Sequence, residues 1–517
     1  MESNRQPQPG SPHRRVVIVG GGMAGTRLAQ QLAAGAGASG GPADGAGPAA
    51  VTVIGEEPHP AYNRVLLAEV LAGRYAPEVI ALPAPAAGVR RLNGVRVVRV
   101  DRPTAQVLCD DGRRVPYDAL VLATGSNPVL PPLRGLFEPD GHDLPDGVRA
   151  FRTMDDCLAL GAAVRPGVRA VVIGGGLLGV SAARALAQRG AQVVLAQQGE
   201  HLMERQLDPG AARLLRRHMT ALGVEVHTAC RVRGLRTRPT EPAGGGREPE
   251  RGRGLGRAVS AVELADGYAL EADLVVLACG VRPRVGLARA AGLEVARGVV
   301  VDDELRTSDP RIFAIGDCAE HEGVVYGLAG AAQEQADVLA RLLSPAPPRP
   351  GTGGLLGRDS APEPAAADRV VGHRSPAGAP PRGGRARPGH RVALGDGTAT
   401  RYTGTRALTR LTLTAAPGPA PAVTGTAAPV ADGRPAPGPL DLAAFGDPTP
   451  APGDDVVHLT DATRNAYRKV VVRGDRLVGG VLLGDLGTVG ALARTWEGDE
   501  PLPSTPLLHL LTNDGGS

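Results

Sequence analysis

The stretch VVIVGGGMAG, Val16–Gly25, decides the fold of the first part of the chain. Its four β-branched residues predict a buried strand, and a helix is predicted over 26–34, directly after the glycines. In this context each glycine of the G-x-G-x-x-G spacing has a physical reason. Gly20 permits the tight turn, Gly22 lets the backbone approach a pyrophosphate, and Gly25 lets the helix pack closely on the strand. The motif predicts a dinucleotide-binding fold with the helix N-terminus facing the phosphates.

The next predicted strand, Val51–Gly55, is followed by an acidic residue. A carboxylate at this place, here Glu56, can accept hydrogen bonds from an adenosine ribose. The Gly/Ala/Pro-rich tract Gly35–Ala50 makes the spacing from the glycine motif to this acid unusually long. Such a composition cannot fill a core, so we interpret the tract as a surface excursion on the first crossover.

A second copy of the pattern begins at RAVVIGGGLLG, Arg169–Gly179. It places Gly174, Gly176 and Gly179 between a predicted strand and a predicted helix over 178–189. One G-x-G-x-x-G alone is weak evidence, because glycine-rich surface turns also contain it. Two copies in the strand–turn–helix context predict two dinucleotide sites.

The second copy differs from the first at the end of its second strand. Strand Gln192–Ala196 is followed by Gln197 instead of an acid. Glutamine can hydrogen-bond a ribose hydroxyl and does not repel a 2′-phosphate, so the residue leaves NADH and NADPH open. The absence of a closely flanking arginine favours NADH.

Composition excludes several other classes of protein. A net charge of +4 over 517 residues, with 2% aromatic residues, gives no basis for nucleic-acid binding. Five widely spaced cysteines without a C-x-x-C pair argue against a disulphide framework and against a zinc or iron–sulphur site, so no metal is expected. No apolar run is long enough for a signal peptide or a membrane span, and we expect a cytoplasmic protein with no membrane partner.

The order of the motifs predicts an α/β fold with two Rossmann-like dinucleotide-binding domains and a small α+β domain at the C-terminus. Both dinucleotide units close on apolar strands, over 117–128 and 272–283, and the second carries a low-complexity excursion, Gly234–Gly256. Segment 344–400 is rich in Pro, Gly and Arg and is interpreted as a linker. The final domain contains short strands on either side of another Pro/Ala-rich stretch, Ala415–Pro439.

Four motifs, in this order, resemble the FAD-dependent pyridine-nucleotide reductases with two dinucleotide domains, the superfamily of rubredoxin, ferredoxin and glutathione reductases. They are VVIVGGGMAG at 16–25, VLATGSNP at 121–128, VVIGGGLLG at 171–179 and FAIGDCAE at 313–320. The resemblance implies FAD in a discontinuous domain, 14–145 with 284–343, and NAD(P)H in a second domain, 146–283. The remainder, 401–517, forms the C-terminal domain.

Other stretches resemble the flavin-binding part of NAD(P)H-dependent nitrite reductase large subunits and the domain that follows it. These stretches are IGEEPHPAYNRVLLAEVLAG at 54–73, FRTMDDC at 151–157, HLMERQLD at 201–208, LACGVRPR at 277–284, LDLAAFGD at 440–447 and AYRKVVVRGDRLVGGVLLGD at 466–485. The sequence lacks the cysteine-bearing modules for an iron–sulphur cluster and a sirohaem that such subunits carry. It also has Ser181 where that family usually has glutamate, which leaves the placement of the nicotinamide open.

The resemblance, together with the motifs, assigns a set of cofactor-binding residues. On the FAD side Asp317 is expected at the ribityl chain, Thr124 and Gly125 near the FAD, and Arg64 with Tyr62 at the pyrophosphate or the flavin ring, although a surface arginine and a packing tyrosine remain alternatives. The full set of expected cofactor contacts is Gly20, Gly22, Met23, Ala24, Gly25, Glu56, Arg64, Thr124, Gly125, Gly174, Gly176, Gly179, Gln197, Gly280, Gly316, Asp317, Glu334 and Gln335.

No side chain is expected to act as a catalytic acid or base, because hydride transfer from nicotinamide to flavin depends mainly on stacking, orientation and exclusion of water. Glutathione-reductase-type enzymes relay electrons through a cysteine pair beside the flavin, and the matching segment here, 62–67, has none. Electrons are therefore expected to leave the flavin directly. Cys279 and Cys318 lie at apolar strand ends and are interpreted as buried small residues.

Three functions remain open on the sequence. The first is an NAD(P)H:acceptor reductase for nitrate or nitrite assimilation, with a separate nitrate or nitrite reductase subunit as acceptor. The second is a ferredoxin or rubredoxin reductase of another pathway, with a ferredoxin-like acceptor. The third is a flavin-binding interaction or sensor protein with slow turnover. A homodimer is also left open.

Overall fold

A computed structural model of the chain describes most of the predicted elements. The described residues are 14–37, 50–84, 88–138, 141, 143–240, 256–344, 400–406, 408–414, 438–461, 463–484, 486–502, 506, 509 and 511. Most of the predicted excursion 35–50, all of the predicted linker 344–400 except its end residues, and most of the stretch 415–439 lie outside these ranges.

Among the described residues up to 128 there are eight strands and two α-helices. The strands are β1 (Arg15–Val19), β2 (Ala50–Gly55), β3 (Arg90–Asn93), β4 (Val97–Asp101), β5 (Gln106–Cys109), β6 (Arg114–Pro116), β7 (Ala119–Leu122) and β8 (Ser126–Pro128). The helices are α1 (Met23–Gly37) and α2 (Leu67–Leu71), with 3-10 turns at Arg64–Leu66 and Pro77–Ile80.

The middle of the chain repeats this alternation of strand and helix. Its strands are β9 (Val148–Ala150), β10 (Arg169–Ile173), β11 (Gln192–Ala196), β12 (Val224–His227), β13 (Val232–Pro239), β14 (Arg257–Leu264), β15 (Ala269–Glu271), β16 (Leu274–Leu277) and β17 (Val281–Pro283). Its helices are α3 (Met154–Ala163), α4 (Leu177–Gln188), α5 (Pro209–Ala221) and α6 (Gly286–Ala290).

The last part of the chain first returns to the first unit and then forms a separate sheet. The returning elements are β18 (Val299–Val301), β19 (Ile312–Ala314), a 3-10 turn at Gly316–Cys318, β20 (Ala319–His321) and α7 (Ala329–Leu343). The separate sheet contains β21 (Thr409–Leu413), β22 (Leu440–Gly446), β23 (Asp455–Asp461), β24 (Ala466–Arg473) and β25 (Arg476–Leu483), followed by α8 (Val489–Gly498).

Two five-stranded sheets of parallel strands form the centres of the two dinucleotide units. Their strand orders are β19-β7-β1-β2-β3 and β12-β11-β10-β16-β9. In each sheet the strand before the glycine motif is central and is buried along nearly its whole length, because helices cover one face and a small antiparallel sheet covers the other. Each unit adds a three-stranded antiparallel sheet, β4-β5-β6 or β13-β14-β15, so the duplication seen in the sequence is a duplication of topology.

The C-terminal sheet is antiparallel, in the order β21-β22-β25-β24-β23. Residues of one face, such as Leu442 and Leu483, belong to the same apolar cluster as Leu215 and Met219 of α5. The opposite face packs against α8. Because successive strand residues point to opposite faces, one face of this sheet packs on the second dinucleotide unit while the other packs on α8. The observed architecture confirms the predicted α/β fold with an α+β C-terminal domain.

The interpretation of Gly234–Gly256 as an excursion is wrong for its first residues. Residues 234–239 belong to β13, which pairs with β14 in an antiparallel hairpin. Buried Leu235 explains why this stretch is a strand despite its arginines, since alternate side chains reach the core. Residues 241–255 lie outside the described residues.

The apolar stretches that close the two dinucleotide units are each interrupted. Strands β7 and β16 end before a turn, and short strands β8 and β17 follow and pair with each other. This antiparallel pair, Ser126–Pro128 with Val281–Pro283, joins the first unit to the second. In the part of the chain that the structure describes, no helix has both the length and the apolar composition that a membrane crossing requires.

Candidate functional site

The first glycine turn is built as its motif requires. Gly20 has φ 123°, and a Cβ there would lie 2.0 Å from the carbonyl oxygen of Ala123. A Cβ at Gly25 would lie 2.1 Å from the carbonyl oxygen of Gly20, so α1 can approach β1 only with glycine there. At Gly22 a Cβ would meet nothing within 4 Å. Open space next to the first turn of a 15-residue helix, which begins at Met23, is suited to a pyrophosphate.

Two arginines lie beside the end of β2. Arg284 forms an ion pair with Glu56 and donates from Nε to Asn127 Oδ1 at 2.7 Å. Arg91 of β3 lies 3.7 Å from the position of a Cβ on Gly21, and its buried Nε has no protein partner. Burial lowers the pKa of Arg91. The residue predicted to bind the adenosine ribose therefore lies in a basic surrounding that the sequence analysis did not anticipate.

Arg64 and Tyr62 belong to one polar cluster around Glu57. Arg64 Nη2 donates to Glu57 Oε1 at 2.8 Å, and the Tyr62 hydroxyl donates to Glu57 Oε2 at 2.7 Å. Arg64 Nη1 also donates to the carbonyl oxygen of Arg152 at 3.0 Å. Burial raises the pKa of Tyr62, so its hydroxyl remains protonated at neutral pH. The segment after β2 is thus held against the segment before α3.

Asp317 lies at the carboxyl edge of the first sheet, in the 3-10 turn Gly316–Cys318 that follows β19. Its Oδ2 accepts hydrogen bonds from Arg152 Nη2 at 2.6 Å and from the Ser126 hydroxyl at 2.9 Å. The Arg152 side chain is 14% exposed, and its buried Nε has no protein partner. Burial, followed by the neighbouring charge of Arg64, lowers the pKa of Arg152. A desolvated guanidinium beside the predicted ribityl site is a suitable group for a phosphate.

The turns that follow β7 and β19 are held by hydrogen bonds. The Thr124 hydroxyl donates to the carbonyl oxygen of Arg284 at 2.8 Å, and the Arg284 amide donates to the carbonyl oxygen of Gly125 at 2.9 Å. The Gly316 amide donates to Gln335 Oε1 at 2.7 Å, and a Cβ on Gly316 would lie 3.3 Å from that of Ala24. These contacts place Thr124, Gly125, Gly316 and Ala24 around the first glycine turn.

The two predicted residues of α7 lie in different surroundings. Gln335 is buried and holds the turn that carries Asp317. Glu334 is exposed, and its Oε2 accepts a hydrogen bond from the Thr405 hydroxyl at 2.6 Å. Glu334 therefore contacts the segment that leads to the C-terminal sheet, and only Gln335 is joined to the Gly316–Asp317 turn.

The second glycine turn repeats the geometry of the first. Gly174 has φ 109°, and a Cβ there would lie 2.4 Å from the carbonyl oxygen of Ala278. A Cβ at Gly179 would lie 1.8 Å from the carbonyl oxygen of Gly174, whereas one at Gly176 would meet nothing within 4 Å. A Cβ at Gly280, which follows β16, would also meet nothing within 4 Å. The turn offers the same cradle for a second pyrophosphate.

The side chains around the second turn differ from those around the first. Gln197 Oε1 accepts a hydrogen bond from the Gly175 amide at 2.7 Å, so the glutamine folds back on the turn. The two hydrogens of its side-chain amide nitrogen are still able to bond a ribose hydroxyl. The Ser181 hydroxyl donates to the carbonyl oxygen of Leu177 within its own helix, at 2.8 Å. Ser181 is buried and provides no charge at the place of the family's glutamate.

The interpretation of Cys318 as a buried residue is confirmed, whereas Cys279 is only partly buried. Burial raises the pKa of the Cys279 thiol to about 11 and also raises that of the fully buried Cys318. Neither thiol is a reactive thiolate at neutral pH. A search of the described ranges finds no group of three or more His, Cys, Asp or Glu residues that could hold a metal ion.

The residues present fit the two cofactors that the sequence analysis expected. Gly22, Gly176 and Gly280 are open to a ligand, Arg91 and Arg152 have buried Nε atoms without a protein partner, and the carboxylate of Glu56 follows β2. Arg152, Arg91 and Ser126 were missed as site residues. Arg152 could have been found, since it lies within the FRTMDDC stretch that carried the resemblance. No sequence motif marks Arg91, because only the register of β3 against β2 brings it to the turn.

Comparison with known families agrees with this geometry. The family model described as pyridine nucleotide-disulphide oxidoreductase matches residues 14–336, and the model described as rubredoxin NAD+ reductase C-terminal domain matches residues 439–495. The first match covers more than half of the 517 residues and contains both glycine turns. Neither match includes the predicted linker 344–400.

Two bacterial relatives illustrate the sequence similarity. The assimilatory nitrate reductase electron transfer subunit of Bacillus subtilis is 35% identical over 331 residues, which is 63% of this chain and 38% of that protein. The nitrite reductase [NAD(P)H] large subunit of Klebsiella oxytoca is 30% identical over 464 residues, which is 88% of this chain and 38% of that protein. The chain thus spans about two fifths of the length of these relatives.

The fold is also found among solved structures. The crystal structure of the covalent putidaredoxin reductase–putidaredoxin complex gives a TM-score of 0.66 at 22% identity, covering 96% of this chain and 98% of that chain. This agreement covers the C-terminal sheet as well as the two dinucleotide units. The chain belongs to the pyridine nucleotide-disulphide oxidoreductase family.

Proposed function

We propose that this protein is an NAD(P)H:acceptor reductase that passes electrons from its FAD to a separate metal-centre protein, in nitrate or nitrite assimilation. The observation that carries the proposal is the presence of two equivalent dinucleotide turns in one chain, with no cysteine in the flavin-facing segment 62–67. When bound, FAD accepts hydride from the nicotinamide and can release the electrons singly.

The residues of this chain bind and orient the cofactors. The first turn holds the FAD pyrophosphate, with Arg152 and Arg64 as the cations on its flavin side and Glu56 at its ribose. Arg152 and Asp317 already form a 2.6 Å ion pair, so the site is organised before the cofactor binds. The second turn holds the nicotinamide dinucleotide, with Gln197 at its ribose. Segment 62–67 contains no cysteine and so offers no thiol relay for the electrons.

Nitrogen assimilation is supported by the relatives, among them an assimilatory nitrate reductase electron transfer subunit and several nitrite reductases. The acceptor would then be a nitrate or nitrite reductase subunit with its own metal centre. These relatives are more than twice as long as the region they share with this chain. The partners of these relatives therefore support the proposal and are not assigned to this chain.

A ferredoxin or rubredoxin reductase is the second candidate. It is favoured by the match of residues 439–495 to the C-terminal domain of rubredoxin NAD+ reductases. The putidaredoxin reductase complex shows that a chain of this fold can be linked to a small redox protein. The two candidates share the cofactor chemistry and differ in the acceptor.

Steady-state oxidation of NADH and NADPH tests the proposal and separates the candidates. Turnover with ferricyanide is expected, because that acceptor takes electrons directly from reduced flavin. The acceptor is then varied among a nitrate reductase catalytic subunit, a ferredoxin and a rubredoxin. Preference for the nitrate reductase subunit supports the first candidate, and preference for either small protein supports the second. Absence of ferricyanide turnover in FAD-loaded protein contradicts both.

A further inference from the structure

Arg184 is a charged side chain in the middle of an apolar interface. It lies on α4, the helix that begins at the second glycine turn, and only 1% of it is exposed. Its Nη2 donates to Glu69 Oε1 at 2.5 Å. Val180 and Ala183 of α4 and Leu71 of α2 are buried in the same apolar cluster. A buried guanidinium is costly unless it is paired, so the contact with Glu69 is needed.

Glu69 belongs to α2, which follows the 3-10 turn Arg64–Leu66 without a gap. The Arg64 side chain is one of the groups proposed to face the FAD. Glu69 Oε2 also accepts from Arg74 Nη1 at 3.1 Å, so one carboxylate joins two guanidiniums. The ion pair Glu69–Arg184 is therefore a direct polar link between the flavin-facing segment and the helix of the nicotinamide site.

The C-terminal sheet reaches the same point through Thr414, which follows β21. The Thr414 hydroxyl lies 3.4 Å from Arg184 Nη1 and also accepts from Arg74. The carbonyl oxygen of Thr414 accepts from Gln188 of α4. Three separate parts of the chain thus meet at Arg184. We refer to Arg184, Glu69, Arg74 and Thr414 as the junction.

Apolar contacts alone hold helices together without fixing their register, because they are not directional. A charge-assisted hydrogen bond of fixed geometry fixes register as well. Ser181 cannot supply this link, since its hydroxyl is bonded within α4. Arg184 lies three residues further along the same helix and reaches α2.

We propose that Arg184 and Glu69 are positioning residues that hold α2 and α4 in register and so set the approach of the nicotinamide to the flavin. The inference rests on the proposed function and deepens it. Hydride transfer needs reacting atoms about 3–3.5 Å apart, and a misplacement of about 1 Å can cost about 100-fold in rate. Neither residue touches a cofactor site directly, so the effect acts through Arg64 on one side and the second glycine turn on the other.

The test compares Glu69→Gln with the wild type in anaerobic single-turnover reduction of the FAD-loaded protein by NADH. Glutamine keeps the size of the side chain and removes the charge. The limiting rate of flavin reduction is expected to fall about 10- to 100-fold. FAD content and the NADH dissociation constant are expected to stay within about twofold, as for a residue that acts on the transition state. Arg184→Lys, which keeps the charge, is expected to retain more of the rate than Arg184→Met.

Asp337→Asn is the matched control. Asp337 of α7 forms an ion pair with Arg27 of α1 at 2.5 Å, inside the first unit and away from the α2–α4 interface. This variant loses an ion pair of the same length whose side chains are more exposed, 41% and 26%, and it is expected to keep the wild-type rate. A limiting rate in Glu69→Gln equal to that of the wild type contradicts the positioning role and leaves the proposed function intact. A parallel loss of rate, FAD content, NADH affinity and melting temperature also contradicts the positioning role without contradicting the proposed function. A wild-type flavin that stays oxidised with both nucleotides contradicts the proposed function itself, and the positioning role with it.

Discussion

The two glycine turns share their backbone and differ in the side chains that surround them. In both turns a Cβ would clash with a backbone carbonyl oxygen, at Gly20 and Gly25 in the first turn and at Gly174 and Gly179 in the second. Around the first turn lie ion pairs, and the buried Nε atoms of Arg91 and Arg152 have no protein partner. Around the second, Gln197 turns back onto the Gly175 amide.

The backbone and the side chains of the two turns therefore determine different properties. The glycines are required by backbone geometry and determine that a βαβ unit forms. The strand-end side chains determine which dinucleotide each unit takes, since charge and hydrogen-bonding capacity lie there. Substitutions in equivalent places of the two turns should therefore give equivalent losses of stability and different losses of binding.

The largest effect is expected from Gly25→Ala and Gly179→Ala. Each new Cβ would lie about 2 Å from a backbone carbonyl oxygen of its own turn, so the strand and the helix must separate. Overpacking of this kind costs about 1–3 kcal/mol or more in the free energy of unfolding. Urea denaturation measures it. If the account is right, the two variants lose similar amounts, and an unchanged midpoint in either would show that its turn is not built as described.

A smaller and more selective effect is expected from Gly22→Ala and Gly176→Ala, where a Cβ would meet only open space. The free energy of unfolding of the cofactor-free protein should not change. The added methyl group would instead crowd the pyrophosphate, raising the dissociation constant about tenfold, or about 1.4 kcal/mol.

Fluorescence titrations with FAD and with NADH distinguish the two turns. Gly22→Ala should weaken FAD binding and Gly176→Ala should weaken NADH binding, each leaving the other ligand unaffected. If Gly22→Ala weakened only NADH binding, the assignment of cofactors to the two turns would have to be reversed.

The choice of nicotinamide nucleotide should respond to Gln197→Glu. A carboxylate next to the ribose repels a 2′-phosphate, so kcat/KM with NADPH should fall about tenfold relative to NADH, equivalent to about 1.4 kcal/mol. Steady-state kinetics with both nucleotides measure the ratio. Glu56→Gln is the matched change in the first unit and should leave the ratio as in the wild type. An unchanged ratio in Gln197→Glu would place the nucleotide ribose elsewhere.

The smallest effect concerns His218 of α5, which lies against the C-terminal sheet. Its Nε2 donates to the carbonyl oxygen of Leu413 at 3.2 Å, and burial lowers its pKa. Because the unfolded chain binds the proton more readily, stability is complete above about pH 6.5 and falls as the pH decreases below it. The loss is about 1.4 kcal/mol per unit by which the pKa is lowered.

Thermal unfolding between pH 5 and pH 8 measures this dependence. His218→Gln should flatten the curve below about pH 6.5, the ordinary pKa of histidine. His227→Gln, at a partly exposed histidine on β12, is the control substitution. A wild-type slope in His218→Gln would mean that other groups determine the loss at acidic pH.

The parts of the fold that were predicted from sequence are those with a strong local signal. Strand Gln192–Ala196 was predicted to the residue, and both glycine turns were placed correctly, because β-branched runs and glycine spacing are local properties. Residues 234–239 were missed as a strand because arginines alternate there with the few buried residues. Their pairing with β14 spans the stretch 241–255, and no local pattern indicates it.

The candidate site shows the same division. Gly316, Asp317 and Thr124 were proposed from the family resemblance, and the structure places them in turns that follow strands β7 and β19. Arg91, Arg184 and Glu69 could not be predicted, since an isolated charge in an arginine-rich sequence has no distinguishing feature before the fold buries it. Their roles depend on which elements pack together, which is a property of the tertiary structure.

Hydride transfer from a nicotinamide to the protein's own FAD is tested most directly by anaerobic stopped-flow mixing of the FAD-loaded protein with NADH and, separately, with NADPH. We expect rapid bleaching of the flavin absorbance by at least one of the two nucleotides, with a rate that saturates as the second site fills. Flavin that stays oxidised with both nucleotides, in protein that retains its FAD, would contradict hydride transfer.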